Sequence, residues 1–474
     1  MERFKGWQQG DETVLSFLSH GGEAVMTLVQ IIVGGLAISE GPPSMQFLHR
    51  ILRPRTVDLV LLLICVMYFV TYIDRVNIAT AAPALQKDLG VSATVLGLAV
   101  SAFAYPYAFF QIAGGWLGDR FGPRATLSIC GAIWSAATVL IGLVSGAVSL
   151  IAARLMLGIG EGAAFPTATR ALASWMPARQ RGFAQGITHA FARLGNAVSP
   201  PIVATLVLWL GWRGSFVVVG AVSFVWVAVW ALYFRDDPAT HLGISAEEIA
   251  DLPPAKAAAK GSVPWGPLLR RMLPVTATDF CYGWILWVYL TWLPSFFVHQ
   301  YQLDLRKAAF FSTGVLLAGV VGDTVGGVLS DRILRRTGSA SVARISVIVA
   351  GFLGSFAAML PVLFVTDLTT IAACLSAAFF FAELIVGPIW AAPMDITPEF
   401  SGTASGFMNF GFGLAGMISP VVFGAIIDAT GRWDYPFVAS LGFLLVGAVL
   451  ALFIRPDARF EAAGAATAMA PRAA

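Results

Sequence analysis

Four ionisable residues stand in otherwise apolar sequence: "VTYIDRVNIA" carries Asp74 and Arg75, and "AARLMLGIGEGAAFP" carries Arg154 and Glu161. Away from water, a carboxylate can take up and release a proton and a guanidinium can hold an anion. Burial favours the protonated carboxyl and a nearby arginine opposes it, so proton affinity can follow the opening and closing of a cavity. Asp74 and Glu161 are therefore the proton-coupling candidates, with Arg154 modulating Asp74 through an intermittent pair, and Arg75 is the candidate anion ligand. Adjacent helical residues point about 100° apart, so Arg75 is expected to face a central cavity while Asp74 turns toward Arg154. Glu161 follows Arg154 by two turns on nearly the same face, about 10 Å along the axis, too far for a direct bond. The competing reading is a pair of static intramembrane salt bridges.

Other side chains extend this chemistry. Tyr72, Tyr107 and Asn409 offer hydroxyl and amide groups to a polar organic anion. His189, Arg193 and Asn196 form a stripe at helical spacing that either approaches the cavity or forms a satisfied polar network. Trp390, with Tyr282, Trp284 and Trp287, either lines a second half of the cavity or anchors helices at the lipid interface. Asp323 and Glu383 are further embedded acids, either on a proton path or stabilising, with Arg344 as the expected partner of Asp323. Asp279, Asp395 and Asp428 sit near predicted span ends, where structural roles cost less.

What must hold these residues is a membrane bundle. Of the 474 residues 57% are hydrophobic and only 12% are charged, about half the charged fraction of soluble domains, and the net charge is +3. That composition excludes an ordinary soluble enzyme, a disordered chain and a nucleic-acid binder. Apolar runs long enough to cross about 30 Å of hydrocarbon are expected at 57–80, 91–116, 125–144, 147–169, 183–208, 213–234, 272–298, 308–330, 342–362, 368–393, 402–427 and 434–454. These predict an all-α protein of twelve transmembrane helices in two six-helix bundles, 56–234 and 272–454. A polar cytoplasmic linker at 235–271 joins them, and a cytoplasmic tail follows at 455–474. Residues 1–55 read as a cytoplasmic extension, dispensable or misassigned, because Met45 opens a basic start just before the first span, and the choice between Met1 and Met45 stays open. Arg50, Arg53 and Arg55, then Arg170, Arg179 and Arg181, crowd one set of loops and place both termini in the cytoplasm. Cys65, Cys130, Cys281 and Cys374 lie singly in apolar stretches and read as small buried hydrophobes.

The chain repeats itself. Gly115, Asp119, Arg120 and Arg124 recur 212 residues later as Gly327, Asp331, Arg332 and Arg336; Ser199-Pro200 recurs 220 residues later as Ser419-Pro420. Two related halves are how alternating-access carriers obtain two states from one architecture. The repeated loop reads as a cytoplasmic gate, in which glycine allows close approach and the aspartate takes bonds from a neighbouring helix end or arginine. The alternative is that its arginines only anchor topology at the headgroups. No nucleotide-binding loop or metal-ligand spacing occurs, so no metal or cofactor is expected, and "GIGEG" reads as close helix packing.

The run "DRVNIATAAPALQKDLG", followed by "GGWLGDRFGPR" and "ARLMLGIGEGAAFP", resembles the anion:cation symporter family of the major facilitator superfamily over roughly 57–454. That family includes bacterial galactonate, glucarate and phthalate permeases and sialin-like carriers. The resemblance implies two pseudo-symmetric bundles, a bacterial inner-membrane location and proton-coupled import of a small organic carboxylate by a sufficient monomer. It also implies proton roles for Asp74 and Glu161 and substrate contacts at Arg75, Tyr72, Tyr107 and Asn409, with the span-4 arginine falling on Arg154. In span 5, "THAFARLGNAVSPP" departs from the small-residue pattern of sugar-acid carriers: His189 and Arg193 add bulk and charge, leaving room for an aromatic, dicarboxylic or amino-acid-like anion. A drug exporter or a sodium-coupled anion symporter on the same scaffold, and a non-transporting membrane sensor, are the alternatives.

Overall fold

A computed structural model describes residues 55–91, 93–253 and 263–458, together with Phe460. The expectations for the start at Met1 or Met45, for Arg50 and Arg53, for 254–262 of the linker and for all of the tail beyond 458 except Phe460 fall outside the described residues. The chain divides into two compact units, Met1–Leu59 and Val60–Ala474; the site described below lies entirely in the second.

Among the described residues the fold is all helical, with fifteen α-helices and no strand. They are α1 (Thr56–Leu89), α2 (Ala93–Ala102), α3 (Ala104–Phe121), α4 (Pro123–Ile141), α5 (Ala147–Gly162), α6 (Ala164–Trp175), α7 (Arg181–Tyr233), α8 (Ala246–Asp251), α9 (Trp265–Tyr301), α10 (Leu305–Thr337), α11 (Ala340–Met359), α12 (Leu368–Glu383), α13 (Val386–Ile396), α14 (Ser401–Thr430) and α15 (Tyr435–Ala451). Ten segments are long and apolar enough to cross a membrane, where the sequence predicts twelve. The difference has two sources. The predicted spans 183–208 and 213–234 run on as α7, and α15 is only 17 residues long. A straight helix of α7's 53 residues would extend about 80 Å, far beyond a bilayer core. It is broken at Gly211, whose φ of 72° and ψ of 169° lie outside helical space and suit only glycine.

The outside is apolar where that of a soluble protein is polar, and the apolar core also encloses charged groups. Leu208, Trp209, Leu232 and Val148 lie on the outside, each at least 75% exposed, while Asp74, Glu161, Asp279, Asp323 and Glu383 are all 0% exposed. Outward apolar side chains stand against lipid at no cost, whereas polar groups must find one another inside. The glycines of "GIGEG" do allow close packing: a methyl group at Gly160 would meet the backbone of Trp134 and Cys130 on α4. Cys374 is half-buried, unlike the other three cysteines, so it does not fit the expectation of four buried hydrophobes.

Candidate functional site

The first cluster forms where α1, α3 and α5 meet. Arg75 Nε donates to Glu161 Oε2 at 2.5 Å, so the pair that the sequence reading left apart is direct. The guanidinium carbon lies 4.5 Å from the Tyr107 ring centroid, 4.9 Å from Tyr72, 5.1 Å from Phe165 and 5.4 Å from Phe103. An aromatic box of this kind attracts a cation and excludes water from its ion pair. Arg75 Nη2, Glu161 Oε1 and the Tyr107 hydroxyl are buried without a protein partner. Polar atoms left over in so dry a place are where a ligand gains most.

One expectation needs correction here. Asp74 does not turn to Arg154: its Oδ2 accepts from Ser223 Oγ of α7 at 3.0 Å. Arg154 instead donates from Nε to the Ala99 carbonyl and from Nη2 to the Val100 carbonyl, each at 3.2 Å. The reason is local. α2 stops at Ala102, and carbonyls in the last turn of a helix need donors from elsewhere. Arg75, expected as the anion ligand, is engaged by Glu161 in this structure.

The second cluster gathers around Arg193 of α7. Its Nη2 donates to the Tyr282 hydroxyl at 2.8 Å and to Glu383 Oε2 at 3.1 Å; its Nη1 donates to the Tyr72 hydroxyl at 3.1 Å. Tyr282 in turn donates to Glu383 Oε2 at 2.9 Å, and Asp323 Oδ2 stands 3.9 Å from Arg193 Nε. Asp323 therefore faces Arg193 and not Arg344, which is taken by Asp331 and Asp395. His189, one turn before Arg193, hydrogen-bonds through Nδ1 to the Gln185 carbonyl at 2.8 Å, and since a carbonyl only accepts, Nδ1 carries the proton. Its ring packs 4.9 Å from Trp390 and 5.0 Å from Tyr68. Trp390 is buried and also meets Phe165, at 6.3 Å, so it reaches the wall of the first cluster. Asn409 is buried with its Nδ2 unpartnered, and Asn196 is half-buried and makes none of the cluster's bonds. Trp284 and Trp287 pack on Phe443 and Phe412. Asp279, expected at a watery span end, is fully buried with neither oxygen bonded.

At the helix ends that carry the repeated loop, two aspartates receive helix N-termini. Asp119 accepts from Gly402 N at 3.0 Å and from Thr403 N and Oγ1 at 2.6 Å each, with Arg170 Nε at 3.5 Å. Asp331 accepts from Gly182 N at 3.1 Å, Phe183 N at 2.6 Å and Arg344 Nη1 at 2.7 Å. These amides belong to the first turns of α14 and α7, which lack intrahelical acceptors and carry the positive end of the helix dipole. The approach is close enough that a Cβ at Gly115 would run into the Gly402 carbonyl and one at Gly327 into that of Gly182. Asp395, read as a span-end acid, bridges Arg181 at 3.2 Å and Arg344 at 3.0 Å. Arg124 bonds the Ala231 carbonyl through Nε and Asp236 through its amide, whereas Arg120, Arg332 and Arg336 are exposed. At the C-terminal end of α1, Arg213 and Trp212 both bond Asp88, and the Arg213 bond above all holds the Asp88 carboxyl below its ordinary range.

Comparison with known proteins places this geometry in context. Residues 64–420 match the sequence profile of the Major Facilitator Superfamily. A probable sulfoacetate transporter of Cupriavidus necator is 50% identical over 408 residues, spanning 85% of this chain and 95% of that protein. The hexuronate transporter of Bacillus subtilis is 31% identical over 396 residues, spanning 82% and 92%. Among solved structures, a superfamily proton:xylose symporter bound to 6-bromo-6-deoxy-D-glucose superposes with a TM-score of 0.67, at 16% identity, over 85% of this chain and 97% of that one, a likeness of fold alone.

Proposed function

The chain belongs to the major facilitator superfamily, and from that premise we propose that it is a proton-coupled symporter importing a small organic anion by alternating access. It is a multi-pass membrane transport protein and not an enzyme. Counting α7 as two crossings divided at Gly211, and α15 as the last, gives twelve spans in the two bundles 56–234 and 272–454, joined at 235–271. The arginine-rich loops favour the inner membrane with both termini in the cytoplasm, and one chain suffices as a monomer.

One observation carries the reading: Arg75 is held by Glu161 at 2.5 Å inside an aromatic box. While Glu161 is ionised it occupies the guanidinium. A proton on Glu161 cancels that attraction, and Arg75 is then open to the acidic group of a substrate. When substrate leaves on the other side, Glu161 returns to Arg75 and the proton departs. Proton and anion thus travel together. The relatives support the substrate class, since sulfoacetate and hexuronates are both small organic acids. On this reading Asp119 and Asp331, with Gly115 and Gly327, hold the cytoplasmic side shut. The buried arginines disfavour the export of cationic drugs.

The test is uptake of labelled sulfoacetate, hexuronate and galactonate into proteoliposomes under an imposed pH gradient. An acid exterior should drive accumulation of at least one of them, and replacing sodium at constant pH should leave it unchanged. Accumulation that ignores the pH gradient and follows sodium would give the function to the sodium-coupled alternative.

A further inference from the structure

Arg193 has its own acid, and that acid matches Glu161 across the two halves. Glu161 stands one residue before the end of α5 and Glu383 ends α12; each is followed five residues later by a proline, Pro166 and Pro388. Glu161 holds Arg75, and Glu383 holds Arg193. The Tyr72 ring is near both cations: its centroid is 4.9 Å from the Arg75 guanidinium carbon and 6.0 Å from that of Arg193. The guanidiniums are separated by no more than those two distances together, within reach of a short molecule with an acidic group at each end. Around Arg193 the acids outnumber the base. Glu383 and Asp323 share one guanidinium and lie close to each other, and among the described residues no other side chain or backbone amide donates to Glu383 Oε1 or to the Asp323 oxygens. One proton on the two carboxylates removes the excess charge, and a proton on Glu383 loosens its hold on Arg193.

Resting on the reading of Arg75 and Glu161 given above, the geometry points to Arg193 as a second anion subsite, so that the preferred substrate is a short organic dianion bound between Arg75 and Arg193. Sulfonated carboxylates and dicarboxylates are of this class. Tyr72 and Tyr282, which bond Arg193 in the unloaded cluster, lend it hydroxyls for the second acidic group. Each acid-arginine pair takes one proton as its arginine accepts the ligand, so a dianion enters with two protons and a monoanion with one. The charged and titratable groups facing Glu383 are Arg193, Tyr282 and Asp323, with His189 a turn away on α7. Those facing Glu161 are Arg75, Tyr72, Tyr107, Arg154 and Asp74.

The experiment measures binding of sulfoacetate, methanesulfonate and acetate to purified full-length protein between pH 6 and pH 8 by calorimetry. Wild-type protein should prefer sulfoacetate to either monoanion by about tenfold or more, the worth of one charge-assisted contact. Arg193→Gln should erase that preference by weakening sulfoacetate about tenfold or more beyond any change for the monoanions, and Arg75→Gln should weaken all three. Glu383→Gln mimics the protonated acid and leaves Arg193 in place; it should lower the protons taken up per sulfoacetate from about two to about one. Equal loss of dianion and monoanion binding in Arg193→Gln, or an unchanged proton count in Glu383→Gln, would overturn the second subsite. Wild-type protein that binds none of the probes would overturn this inference alone, and binding that is independent of Arg75 would overturn the proposed function and this inference with it.

Discussion

On the proposed mechanism Arg75 serves two ligands in turn. A buried guanidinium gains from an anionic partner, Glu161 supplies one here, and substrate would take its place. Glu161→Gln keeps the shape of the side chain and removes the exchangeable proton. Proton-driven accumulation should therefore fall by about tenfold or more, while counterflow exchange between equal internal and external substrate stays within about threefold of wild type. Measuring both in the same vesicles checks this, and a variant that loses exchange as completely as accumulation would place Glu161 in structure and not in coupling. The sequence marked Arg75 and Glu161 because ionisable residues in apolar runs are few. It did not pair them, since the partner of a side chain depends on which helices become neighbours. Asp74 found Ser223 and Arg154 found the carbonyls of Ala99 and Val100 for the same reason.

Helices join the site through their ends as much as through their faces. α7 begins at Arg181 and α14 at Ser401, and each delivers its first free amides to a carboxylate on another helix. Asp331→Asn weakens this acceptor without changing its size. Each hydrogen bond to a charged group contributes about 1.5–3 kcal/mol, so amide hydrogen exchange at Gly182 and Phe183 should speed up by about tenfold or more. The first turn of α14, which rests on Asp119, should keep its protection. Unchanged exchange at Gly182 and Phe183 would mean that Asp331 does not hold α7. The repeated Gly-x-x-x-Asp spacing made both aspartates legible. Arg170 was read as a loop charge, Arg344 as the partner of Asp323 and Asp395 as a span-end acid, because nothing in linear spacing says that a residue at 344 will meet one at 331 and another at 395.

In the whole molecule the two aspartate anchors work in parallel, since Asp119 and Asp331 share no bonding partner. Independent contacts contribute additively, so the combined Asp119→Asn and Asp331→Asn protein should lose initial uptake rate by about the product of the two single losses. A double variant no slower than the worse single one would show that one anchor alone keeps that end closed. The Glu161 and Glu383 correspondence is also a whole-molecule property. A proline five residues after each acid was present in the sequence, but with only the glutamate and the proline shared the signal lay below the matched loops.

Composition and the length of the apolar runs by themselves determined an all-helical membrane protein, because about 30 Å of hydrocarbon leaves no other use for such segments. The repeated loops and sparse charges likewise singled out most of the residues that gather in the buried clusters. Only tertiary structure decided who pairs with whom: Arg75 with Glu161, Arg193 with Glu383, and each aspartate anchor with a distant helix N-terminus. The physical reason is that a bilayer rewards any apolar helix alike, so hydropathy fixes that a segment crosses, whereas electrostatic partners are set over a few ångströms by helix rotation and packing, which depend on the whole bundle at once.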